Sequence, residues 1–121
     1  MKNRTAKQKT GDRGERRAAL WLFLRGYRIL ERDYRVGHRD IDVIAKKGGL
    51  LVFVEVKTRT DTNTAAPQLA VGSEKRKNLV SAAKYYIATH DTEGMTYRFD
   101  VAEVAVNGRI RYIENAFPGD L

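Results

Sequence analysis

The chain has 121 residues and carries eight more positive than negative charges, with 14 arginines and 9 lysines against 15 acids. That length suits one domain with a core of its own, and no run of about 18 apolar residues offers a transmembrane helix. With no cysteine there is no disulfide and no thiolate metal site, which fits a reducing cytoplasm. The charge excess points to a polyanionic partner, nucleic acid before membrane surface, and the preponderance of arginine suits bidentate phosphate contacts.

In chain order, residues 1–9 are polar, basic and without periodicity. They read as a disordered tail, and with no apolar block directly behind them they do not read as a secretory signal. A single domain is expected over 10–117, with 118–121 as a C-terminal tail. A helix is predicted from Thr10 or Gly11 to Arg25, with Gly26 as its C′ stop. Ala18, Leu22 and Arg25 form one stripe, and Ala19, Leu22 and Phe23 its neighbour. Glu15, one turn earlier, belongs to this inward face. Tyr27 to Val36 reads as a first strand, Asp40 to Ala45 as a second and Leu50 to Arg59 as a third.

The polar run Thr-Asp-Thr-Asn-Thr-Ala-Ala-Pro, residues 60–67, reads as a loop. Ser73 is the expected N-cap of a second helix, where Leu79, Ala82, Ala83, Tyr86 and Ile87 recur at helical spacing. Tyr97 to Val106 alternates as a strand, and Asn107-Gly108 predicts a two-residue type I′ turn into a last strand, Arg109 to Ile113. The order α-β-β-β-α-β-β implies a mixed sheet flanked by helices.

The second and third strands raise a question. Leu50 to Val54 is continuous core, yet Glu55 and Lys57 interrupt its end, and Asp42 lies among apolar residues across the hairpin. A turn at Lys46–Gly49 or Lys47–Gly48 pairs residues whose numbers sum to 95, setting Asp42 opposite Phe53 and Asp40 opposite Glu55. Asp42 and Glu55 are then diagonal neighbours on one face, roughly 7–8 Å apart at Cα. An odd loop would put them on opposite faces.

Carboxylates so placed need a cation between them. Lys57 in a structural salt bridge is one answer. A hard divalent ion such as Mg²⁺, which takes oxygen ligands, is the other. With a lysine beside it to orient or deprotonate water, the second arrangement suits hydrolysis of a phosphodiester. The tripeptide itself is weak support, since chance supplies about one acid-x-Lys in a chain of this composition.

Other chemistries lack their residues. His38 and His90 form no zinc cluster, and His38 reads as a polar loop residue. Gly48-Gly49 is a turn without a phosphate-binding GxxxxGK[ST], and neither Ser73 nor Ser81 has a nucleophile elbow. Tyr86 reads as core and Tyr85 as partly exposed.

The successive stretches GDRGERRAALWLFLRGYRIL, RDIDVIA, LVFVEVKTR, EKRKNLVSAAKYYI and YRFDVAEV resemble, in the same order, the motifs of the YraN-like family of bacterial proteins. That family is similar to archaeal Holliday-junction resolvases and is placed in the restriction-endonuclease-like PD-(D/E)xK superfamily. The resemblance implies an α/β restriction-endonuclease-like fold and a Mg²⁺- or Mn²⁺-dependent endonuclease acting on DNA, including branched or junction DNA. It makes Asp42 and Glu55 metal-binding acids, Lys57 the catalytic lysine and the Val56 carbonyl a further ligand. Glu15 matches the helix glutamate that completes the metal site in resolvase-like members.

Asp40 is an additional candidate where the family has glutamate, and Lys75, heading the stripe Lys75, Leu79, Ala82, Tyr86, could reach the site from the second helix. Where the family tends to carry Phe-Gly, this chain has Asn63 to Pro67. Arg13, Arg16, Arg17 and Arg59 are the candidate nucleic-acid contacts. Resolvase-like relatives act as dimers, so a homodimer is a further expectation. The alternative is a non-catalytic nucleic-acid-binding module of the same fold.

Overall fold

The computed structural model describes residues 6–59 and 72–119, with side chains from residue 12 onward at the N-terminal end. Helix α1 (Ala6–Leu24) precedes strands β1 (Arg28–Val36), β2 (Arg39–Lys47) and β3 (Leu50–Arg59), and helix α2 (Ser73–Thr89) precedes β4 (Thr96–Ala105) and β5 (Ile110–Ile113). The five strands form one sheet in chain order. Only β3 and β4 run parallel; the other pairs are antiparallel. This is the expected α-β-β-β-α-β-β order.

Strand β3 lies at the centre. Its Leu51 and Phe53 pack with Leu79, Ala82 and Tyr86 of α2, and its Val52 and Val54 with Ala18 and Leu22 of α1. A strand covered on both faces must be apolar at consecutive positions, which is why Leu50 to Val54 shows no alternation. Helix α1 stops where Gly26 adopts φ +92, with Gly26 and Tyr27 donating backbone hydrogen bonds to Phe23 and Leu22. These two bonds are the Schellman closure that a C′ glycine permits.

Several boundaries differ from the sequence reading. Helix α1 begins at Ala6 rather than near Thr10, so residues 6–9 of the expected tail are helical. Lys and Gln are good helix formers, and a turn made of them shows no apolar period. Phe23 is 63% exposed, not inward, because the buried face of α1 runs through Ala18, Ala19 and Leu22. Gly72, not Ser73, occupies the N-cap of α2.

The last hairpin is not a two-residue type I′ turn. Ala105 and Arg109 pair across a three-residue loop in which Gly108 is left-handed at φ +87. After β5, Ala116 donates a backbone bond to Phe99, Phe117 is buried and Gly119 packs on the Phe99 ring. The predicted loop 60–67 lies outside the described residues, as do residues 1–5.

A buried charge network braces the far face. Asp100 is fully buried on β4 and accepts both nitrogens of an Arg98 fork at 2.8 Å, the Tyr112 hydroxyl and the Asn115 N–H at 2.9 Å. Arg98 also donates to the Tyr27 hydroxyl at 3.1 Å, and Tyr112 stacks on Trp21 of α1 with centroids 4.5 Å apart. With its oxygens saturated, this acid is a brace linking α1, β4 and β5.

Candidate active site

The site forms where β2 and β3 separate. Their pairing runs from Lys47–Leu50 to Val43–Val54, closed by Gly48-Gly49. Beyond it β2 stays with β1 (Asp40 beside Arg35), while β3 stays with β4 as far as Arg59–Ala105. In the gap the Val56 N–H donates to Asp42 Oδ2 at 2.7 Å, a side-chain bond in place of a ladder bond.

The pair numbers sum to 97, not 95. The turn is even, as expected, so Asp42 and Glu55 share a face, but the register is two residues further along. Counting on from Val43–Val54 sets Asp42 level with Glu55 instead of diagonal to it, and Asp40 does not stand opposite Glu55.

Lys75 of α2 connects these acids. Its Nζ lies 3.6 Å from Glu55 Oε1 and 3.7 Å from Asp40 Oδ1. Glu55 is 10% exposed at its side chain, and its Oε2 is buried without a hydrogen-bond partner. From the opposite face of the sheet α1 contributes Glu15, 13% exposed and 3.4 Å from the Arg32 guanidinium.

The electrostatics follow from this crowding. Burial, then the nearby Asp42 carboxylate, raises Glu15 to about 7 despite Arg32. Asp42 and Glu55 are likewise raised, by burial first. The Val56 N–H opposes the rise at Asp42, and Lys75 and Lys57 oppose it at Glu55. Burial disfavours a charged carboxylate, and neighbouring carboxylates add to that penalty.

Sequence reasoning missed two residues here, both on β1. Arg32 pairs with Glu15. Asp33 is left-handed at φ +53, lies between the Arg32–Val43 and Tyr34–Ile41 pairs, and adds repulsion to Glu15 and Asp42. Nothing in an alternating strand pattern reveals a residue in that conformation.

The donor set suits a hard divalent cation: carboxylate oxygens of Glu15, Asp42 and Glu55, one of them buried and unpartnered. Among the described residues no three acids or histidines are gathered closely enough to form a ready-made metal-holding cluster.

The candidate phosphate contacts divide. Arg59 is engaged with Glu103 at 3.1 Å. Arg13 and Arg17 line a cavity of about 210 Å³ between α1, Thr58 and the end of β4; these two and Arg16 are all exposed.

Residues 14–104 match the profile of the uncharacterised protein family UPF0102. The chain belongs to the UPF0102 family. This is the YraN-like family that the motif order resembles. UPF0102 proteins of Syntrophus aciditrophicus and Chlorobaculum parvum are 40% identical over 116 residues and 46% identical over 99 residues. The first match covers 93% of this chain and 91% of the relative, the second 82% and 77%. Among solved structures, this UPF0102 chain is similar to Hjc, a Holliday junction resolvase from Archaeoglobus fulgidus. The TM-score is 0.56 and identity 22%, over 86% of this chain and 71% of that one. The shared feature is the fold: a mixed five-stranded sheet between helices. No described helix is long and apolar enough to cross a membrane.

Proposed function

We propose that the chain is a metal-dependent endonuclease that hydrolyses DNA phosphodiester bonds, including those of branched or junction DNA, in the cytoplasm. The observation that carries this reading is the pair of carboxylates at the parting of β2 and β3, Asp42 half-buried and Glu55 buried with its Oε2 unpartnered. A protein does not bury such a group at rest without cost, since an unmet buried polar atom is worth about 1–3 kcal/mol. Likeness to a resolvase fold and the basic charge support the same reading.

Asp42, Glu55 and the Val56 carbonyl would hold Mg²⁺ or Mn²⁺, with Glu15 completing the site from α1. The cation supplies Lewis-acid stabilisation of charge on the phosphoryl oxygens. The chain's own groups do the rest. The Val56 N–H fixes the Asp42 carboxylate through Oδ2. Lys57 positions the attacking water and takes part in its deprotonation. Lys75 pairs with Glu55 and Asp40 and offsets their charge.

A second reading, a nucleic-acid-binding module without catalysis, is favoured by one observation: the described acids are not gathered into a metal-holding cluster. Titration with Mn²⁺ followed by a cleavage assay separates the two. Saturable binding at one site with Mn²⁺-dependent cleavage supports the nuclease. Metal-independent DNA binding with no Mn²⁺ site supports the module.

A further inference from the structure

We propose that Arg13 and Arg17 converge on one backbone phosphate of the nucleic-acid strand, held in the cavity beside Thr58 a nucleotide or two from the bond cut. The inference rests on the nucleic-acid reading above and assigns that substrate a second anchoring point. The two arginines are one helical turn apart on α1, so their guanidinium groups share a side of the helix. Both line the 210 Å³ cavity, Thr58 adds a hydroxyl, and no acidic side chain among the described residues lines it. A tetrahedral phosphate fits that volume and that donor set, because arginine forks match phosphate oxygens.

Two glycines shape the cavity. A Cβ on Gly14 would stand 2.7 Å from Thr58 Oγ1, so only glycine lets α1 lie flush against β3 there. Gly108, left-handed at φ +87, leaves room for Arg17, since a Cβ at that position would stand 2.7 Å from Arg17 Nη1. The position also makes electrostatic sense. Glu15, Asp33, Asp40, Asp42 and Glu55 repel phosphates, and a strand needs cationic purchase close by. Thr58 lies three residues beyond Glu55 along β3, roughly 10 Å at about 3.3 Å per residue, and faces α1, the side from which Glu15 reaches the site.

A labelled four-way DNA junction bound by the full chain in metal-free buffer, over a salt series, tests this. The Arg13→Ala/Arg17→Ala variant should bind roughly tenfold more weakly and lower the slope of log affinity against log salt by about one, as for one lost phosphate contact. Each single variant should already show most of that loss, because the two residues serve one phosphate. Arg28→Ala/Lys46→Ala removes the same charge from a pair at the hairpin end of the sheet and should leave the slope unchanged.

A slope change of about two with additive single effects would mean two separate phosphates and overturn the proposal. An unchanged slope overturns it as well. So does inorganic phosphate raising the melting temperature of wild type but not of the double variant while the junction slope stays the same, which assigns the pocket to a free anion. If the double alanine variant does not fold, Arg13→Gln/Arg17→Gln takes its place. If the double variant shows the predicted slope loss but wild type never cleaves DNA, the pocket stands and the nuclease reading falls. Cleavage without the slope loss removes only the pocket, and no junction binding by wild type removes both.

Discussion

Two buried acids illustrate what decides the fate of a charge inside this molecule. Asp100 has every oxygen partnered, by Arg98, Tyr112 and the Asn115 N–H. Removing it leaves Arg98 with only the exposed Glu114 carboxylate, 3.3 Å away, and the Tyr112 hydroxyl and Asn115 N–H without their acceptor, so Asp100→Ala should cost about 3 kcal/mol, read as a lower urea midpoint. Glu55 is the opposite case, with one oxygen unmet and Asp42 beside it. Glu55→Gln should therefore raise the metal-free melting temperature at about pH 8 by several degrees, since about 1 kcal/mol moves a domain of this size by a few degrees. A fall would contradict the conflict described. Because Glu15, Asp42 and Glu55 are raised, the folded chain holds more protons than the unfolded one. Their favourable share of stability is complete below the ordinary carboxyl range. It is lost as pH climbs through about 7, where Glu15 titrates. Metal-free melting temperature should fall between about pH 5 and about pH 8. Mn²⁺ should restore it at the upper end and do little at the lower, because ligands must be deprotonated to bind metal.

Among the elements, the α1–β3 contact offers the sharpest local test. Alanine is favoured over glycine by about 1 kcal/mol inside a helix, yet a Cβ on Gly14 would meet Thr58 Oγ1 at 2.7 Å. Gly14→Ala should lower the melting temperature in the wild-type background and raise it when Thr58→Ala is also present. Equal effects in both backgrounds would mean the two residues do not touch. The strands show where reading by pattern succeeds and stops. The continuous run Leu50 to Val54 announced a strand covered on both faces, and an even turn was enough to bring Asp42 to the face of Glu55. The register was not legible. Lys46 and Lys47 are polar enough to pass for turn residues, but they extend β2, and the turn is Gly48-Gly49 with Gly48 left-handed. The strain at Asp33 and the Arg98–Asp100 network were equally hidden. One depends on a backbone angle, the other on Tyr112 and Asn115, which alternation within β4 cannot bring into view.

At the scale of the whole molecule, the site gathers residues from both faces of one sheet. Glu15 comes from α1, Lys75 from α2, and Asp42 and Glu55 from the strands that part between them. A substrate bound at that end of the sheet would meet both helices, and the net charge of +8 favours encounter of the chain with a polyanion. Association should accordingly slow steeply as salt rises, in stopped-flow measurements with labelled DNA. Membership of UPF0102 and the resolvase-like fold place the chain among proteins built on this plan. The proposed chemistry turns on the paired carboxylates. The most direct measurement is cleavage of linear, flapped and four-way-junction DNA with Mg²⁺ and Mn²⁺, wild type against Asp42→Asn and Glu55→Gln. The account predicts metal-dependent cutting by wild type, abolished in both variants while each keeps a cooperative melting transition. Cutting that survives in both folded variants would contradict it.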